Sequence, residues 1–189
     1  MIERFALADE LTCYYDSASE PANVHLEAWV AGRLDPTAVR AAVSDVLGSQ
    51  PRIMARRRPA RWRRAYYWEF PVPQAADPVR TAEYAGQEDL DRQRDAFLSE
   101  SPSLDEAPPL RFLHASGPGG DCLILNAHHA AFDGLSCLRL IREVAAAYSA
   151  RAGDQHVASR ADSPAASGAP AASAETTVNR TPMAHRVSS

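Results

Sequence analysis

CLILNAHHAAFDGLSCLRLIREVAAAY, from Cys122 to Tyr148, is the stretch that decides how this chain is built. A short apolar run, Cys122 to Leu125, leads into two adjacent histidines, His128 and His129. A brief turn follows, closed by Asp133 and Gly134. The spacing of Leu135, Leu138, Ile141, Val144, Ala145 and Tyr148 then predicts a helix with one apolar stripe. A strand that carries histidines to a turn ahead of a helix holds polar groups rigidly while leaving them open to a cleft.

Working outward, Leu110–Ala115 reads as a strand, Gly117-Pro118-Gly119-Gly120 as a hairpin turn, and Asp121–Ala127 as its partner. The histidines thus sit at the end of a hairpin's second strand. Farther upstream, Asn23–Leu34 alternates as a strand, with Val24, Leu26, Ala28 and Val30 on one face. Asp35 and Pro36 give an N-cap and a first helical residue. The helix runs through Val39, Ala42, Val43, Val46 and Leu47, and Gly48 ends it.

Arg52–Arg58 and Ala65–Phe70 read as paired strands joined near Pro59, and Glu88–Ser99 as a helix facing inward through Leu90, Phe97 and Leu98. The Pro-rich, acidic stretch Pro71–Glu83 predicts no element, and residues 1–22 read as an edge segment with a short helix or turn. From residue 153 the chain becomes rich in Ala, Ser and Pro. Such a segment buries too little surface to offset its ordering entropy, so residues 153–189 are expected to be a disordered tail. Residues 1–152 form one α/β domain with an antiparallel or mixed sheet and flanking helices.

Of the 189 residues, 46% are apolar and 23% charged, ordinary values for a globular protein. The net charge of −4 argues against nucleic acid as a partner. All 20 basic residues are arginine, which points to coding bias. The three cysteines, Cys13, Cys122 and Cys137, are widely spaced and form neither a disulfide framework nor a zinc cluster. With no signal peptide pattern and no apolar run of membrane-spanning length, a cytoplasmic location is expected.

At a strand end, His128 and His129 point to opposite faces, so only one can face a given cleft. A neutral imidazole there suits a general base. Asp133 can hold the loop in place, and Gly134 can permit a tight bend or close backbone approach before the helix. Ordinary strand-end polar residues are the plain alternative. A metal set of His129 and Asp133 with Cys137 or His114 is spoiled by the turn chemistry, and no metal is expected. Ser136 lies in DGLSC, not in a nucleophile elbow.

HHAAFDG, His128 to Gly134, resembles the HHxxxDG motif of the CoA-dependent acyltransferase superfamily. That group includes chloramphenicol acetyltransferase, wax-ester and polyketide-associated acyltransferases, and the condensation domains of nonribosomal peptide synthetases. PPLRFLHASGPGGDCLILNAHHAAFDG is similar to the family's strand, hairpin turn, strand and motif, and LDPTAVRAAVSDVLGSQPRI to its first strand–helix–strand. The resemblance covers about residues 1–152 and implies a chloramphenicol-acetyltransferase-like half-domain, the N-terminal half of the full fold.

The resemblance also implies a role for each motif residue. His129 is the general base for attack of an alcohol or amine on an acyl thioester. Asp133 braces the loop through an arginine, and Gly134 keeps the approach open. The donor is an acyl-CoA or a phosphopantetheinyl carrier protein, and no cofactor is held tightly. Met54 stands where the family's HPxLR arginine is expected, so Arg52 or Arg56 is the expected partner of Asp133. The run Arg52, Arg56, Arg57, Arg58, Arg61, Arg63 and Arg64 reads as a solvated strand face, with CoA phosphates or an acidic carrier as the second reading. Because such domains have two halves, a second chain or self-association is an expected partner. The alternative function is a non-catalytic half-domain, either a partner subunit or an orphan fragment.

Overall fold

The expected hairpin forms the middle of a four-stranded sheet in the computed structural model, which describes residues 1–17, 20–59, 65–74 and 77–161. The elements in chain order are β1 (Ile2–Arg4), α1 (Leu7–Tyr15), β2 (Asn23–Val30), α2 (Pro36–Ser49), β3 (Arg56–Pro59) and β4 (Tyr66–Glu69). They continue with β5 (Val79–Glu83), α3 (Gln87–Leu98), β6 (Leu110–Gly117), β7 (Gly120–His128) and α4 (Gly134–Ala161). The main sheet has the order β2-β7-β6-β5, antiparallel except for the parallel β5–β6 pair.

Every residue of β7 is buried, because helices cover both faces of the sheet. On one face α2 and α4 pack over Leu110, Phe112, Leu123, Leu125 and Ala127. On the other, Leu90 and Phe97 of α3 meet Leu113, Cys122 and Ile124. Burying a side chain such as Phe112 or Ile124 stabilises by roughly 1.5–3 kcal/mol. This three-layer, mixed α/β arrangement with flanking helices is the half-domain architecture expected above.

Local signals explain several elements in full. Asp35 caps α2 by accepting hydrogen bonds from Thr37 N–H at 2.7 Å and Ala38 N–H at 3.2 Å, and Val39, Ala42, Val43, Val46 and Leu47 are all buried. The β6–β7 turn closes at the pair Gly117–Gly120. Gly120 has φ +106°, and a Cβ there would lie 2.3 Å from the Val30 carbonyl oxygen. Only glycine fits that backbone without strain.

Other expectations need correction. The β3–β4 hairpin does not join the main sheet; it pairs with β1 in a separate sheet of order β1-β4-β3. The first strand of that hairpin begins at Arg56, after a turn over Pro51–Met54. The Pro71–Glu83 stretch contains a strand after all, β5, an edge strand in which only Val79 is buried, so it carries no apolar pattern. Gly48 lies inside α2 and does not end it. The buried face of α4 is Cys137, Leu140 and Val144 with Ile141, Ala147 and Tyr148, whereas Leu135, Leu138 and Ala145 are exposed. The backbone of α4 runs on to Ala161, past the expected boundary at 152, and the rest of the expected tail lies outside the described residues. Arg61, Arg63 and Arg64 also lie outside them.

Candidate active site

β7 delivers the two histidines to different surroundings. His128, its last residue, is 2% exposed, while His129 is exposed. The loop turns back at once, because Ala131 N–H and Phe132 N–H both donate to the His128 carbonyl at 3.0 and 3.1 Å. Ala130 and Phe132 are buried beneath it.

The His128 ring has a defined tautomer. Ala130 N–H donates to Nδ1 at 3.1 Å, so in the neutral ring the proton sits on Nε2. Nε2 lies 3.2 Å from Asp16 Oδ2 and donates to it. Burial pushes the His128 pKa below the ordinary imidazole value, and the attraction of Asp16 only partly offsets this. The ring is therefore neutral at pH 7. The His129 backbone is held too, its N–H donating to the Ala22 carbonyl at 2.8 Å.

Among the described residues, no arginine is bonded to Asp133. Its Oδ1 accepts from Ser136 N–H at 2.7 Å and its carbonyl from Cys137 N–H at 3.0 Å, so it is the N-cap of α4. The Ser136 hydrogen bonds hold its carboxyl below the usual range. Arg52 pairs with Glu3 and Arg56 with Glu69, so neither expected stand-in reaches it. Met54, where an arginine was expected, packs against the main core instead. Gly134 opens α4 without a tight bend, and a Cβ there would meet nothing within 4 Å.

Of the remaining candidates, Cys137 is fully buried, and burial raises its thiol to about 11. His114 is bound to Asp121 inside the β6–β7 hairpin, so neither joins His129. Arg57 forms a two-pronged pair with Asp105 at 2.9 and 3.0 Å, which leaves the described part of the arginine run largely matched by acids.

A cleft of about 480 Å³ opens beside the motif loop. Its walls include Ala131 and Phe132 of the loop, Arg139 and Leu140 of α4, Trp68 of β4 and Phe70 just after it; His129 stands outside them. Sequence reasoning missed Asp16, which lies 112 residues from His128 and carries no local signal. It also missed the Asp121–His114 pair, although an aspartate in an apolar strand was a visible cue.

No family model matches the chain. An uncharacterized protein of Mycobacterium tuberculosis, Rv2305 in strain H37Rv, is 34% identical over 146 residues, covering 77% of this chain and 33% of that protein. CymA of Salinispora arenicola, named as a probable non-canonical nonribosomal peptide synthetase, is 33% identical over 129 residues, 65% of this chain and 2% of that one. Among solved structures, the starter condensation domain of the rhizomide synthetase RzmA superposes with a TM-score of 0.66 at 16% identity, covering 81% of this chain and 38% of that chain. The epimerization domain of tyrocidine synthetase B superposes with a TM-score of 0.64 at 15% identity, covering 82% and 36%. The chain thus spans about a third of the length of the curated relatives first matched. Among the described residues, no helix is long and apolar enough to cross a membrane. By its architecture and these superpositions, the chain has the fold of the condensation and epimerization domains, over 36–38% of their length.

Proposed function

We propose that this protein takes part in acyl transfer from a CoA or carrier-protein thioester to an alcohol or amine, with His129 as general base. The observation that carries this reading is the divided fate of the two histidines. His128 is sealed in and committed to Asp16 and Ala130, whereas the His129 side chain is exposed at the end of a rigid strand. In the reaction, His129 takes the proton of the acceptor O–H or N–H as that atom attacks the thioester carbonyl. The C–S bond then breaks, and the departing thiolate takes the proton back as free thiol. A positioned base supplies about 10²–10⁴-fold of rate.

One further observation supports the reading. A variant of the RzmA domain was solved with C8-CoA and Leu-SNAC, an acyl-CoA and an aminoacyl thioester mimic. We place the reaction in the cytoplasm, and the opposite wall of the site in the part of the fold beyond this half.

The test is release of thiol from octanoyl-CoA in the presence of an amine or alcohol acceptor. His129→Ala is expected to lower the rate at least about 10²-fold with an unchanged melt. Thiol release that continues unaltered in that variant overturns the assignment.

A further inference from the structure

We propose that Asp16 is the positioning residue for His129, a role that rests on His129 being the base. Asp16 follows α1 and sends its two carboxylate oxygens in different directions. Oδ2 receives the His128 Nε2 proton at 3.2 Å. Oδ1 receives Ala22 N–H at 2.9 Å and lies 3.4 Å from the Ser101 hydroxyl oxygen.

Both arms end on the backbone around His129. Through Ala22, Asp16 fixes the residue whose carbonyl accepts His129 N–H at 2.8 Å. Through His128, it fixes the ring whose Nδ1 accepts Ala130 N–H at 3.1 Å. One carboxylate therefore governs the amide of residue 129 and the amide that follows it. Ser101 extends the bracket to Asn23, at the head of β2, by donating to its Oδ1 at 2.7 Å. Among the described residues, the side chain of His129 makes no part of this network, while its backbone is tied on both sides.

The consequence for catalysis is geometric. A base displaced by 1 Å can lose about 10²-fold in rate. α1 buries none of its own residues, so the Asp16 bonds, and not core packing by that helix, join it to the motif loop.

The experiment follows amide hydrogen exchange and thiol release in the full chain carrying Asp16→Ala or Asp16→Asn. In Asp16→Ala, exchange at His129 and Ala130 is expected to rise at least about tenfold, while Ile124 and Leu125 in β7 keep their protection. The His128 ring, which feels Asp16 together with Arg57 and His129, titrates at still lower pH in that variant. Asp16→Asn keeps the shape and one acceptor, recovers part of the protection, and serves as the test if the alanine variant fails to fold.

kcat is expected to fall about 10²-fold with little change in KM. Unchanged exchange at His129 and Ala130 in both variants, or equal acceleration along β7, overturns the proposal. So does full kcat in a variant whose loop has loosened. Were His129→Ala to keep turnover, the reading of the base would fail, while the exchange result would still decide what Asp16 holds.

Discussion

Asp121→Ala gives the sharpest test of how the half-domain is held together. Asp121 is fully buried, and its Oδ2 accepts from Leu34 N–H at 2.8 Å, His114 Nε2 at 2.8 Å and the Ser116 hydroxyl at 3.1 Å. These bonds tie the β6–β7 hairpin to the segment that enters α2. Truncation strands the buried His114 donor and the half-buried Leu34 amide, and each stranded donor costs about 1–3 kcal/mol. The exposed arm of Arg33, 3.5 Å away and 64% exposed, adds little.

The expected loss for Asp121→Ala is therefore about 3 kcal/mol. For a folded unit of this size that lowers Tm by roughly 10 °C. Burial opposes ionisation of Asp121, but the hydrogen bonds from Leu34, His114 and Ser116 together outweigh it and hold the pKa below the usual range. Its contribution is thus complete above pH ~4 and lost as pH falls through the folded pKa. Urea melts of both proteins at pH 7 are the assay, with Asp121→Asn as the isosteric control. A loss under about 1 kcal/mol refutes the idea that this carboxylate is the hub of the hairpin.

Three more outcomes are expected. His128 has a lowered pKa, so the unfolded chain takes up a proton before the native one does, and stability falls as pH drops below ~6.5; melts from pH 7.5 to 5 will show a flatter profile in His128→Gln. Gly120→Ala forces a Cβ to 2.3 Å from the Val30 carbonyl at φ +106° and should cost about 2 kcal/mol or more, read by the same urea melts. Asp133→Ala removes the α4 cap and should lower the thermal midpoint, with helix loss seen by circular dichroism; an unaltered melt would remove Asp133 from that role.

Local codes were legible wherever one residue type and one spacing had a single solution. Asp35-Pro36 followed by Val39, Ala42, Val43, Val46 and Leu47 admits only one helix start and one buried face. The Gly-rich turn set the β6–β7 register, and with it the separation of His128 from His129. α4 was harder, because its first turns carry two apolar stripes. One holds Leu135 and Leu138 and the other Cys137 and Leu140, and packing against α2 and the sheet chose the second. β5 hid because it lies at the sheet edge with only Val79 buried, which leaves no apolar pattern to read. The partners of the site residues were least legible of all. Asp16 meets His128 only through the tertiary fold, whereas Asp133, a capping residue type just ahead of a helix, carried a local signal for the cap it makes.

The register of β2 on β7 sets an order of assembly. Asn23 faces His128 and Val30 faces Asp121, so strands roughly a hundred residues apart must meet, while β6 and β7 meet across a two-residue turn. The hairpin can therefore form early, and β2 must wait for it. During synthesis the emerging chain carries an unpartnered NVHLEAWV segment until His128 has left the ribosome, so folding of this half is limited by when its middle strand arrives and not by how fast its helices form.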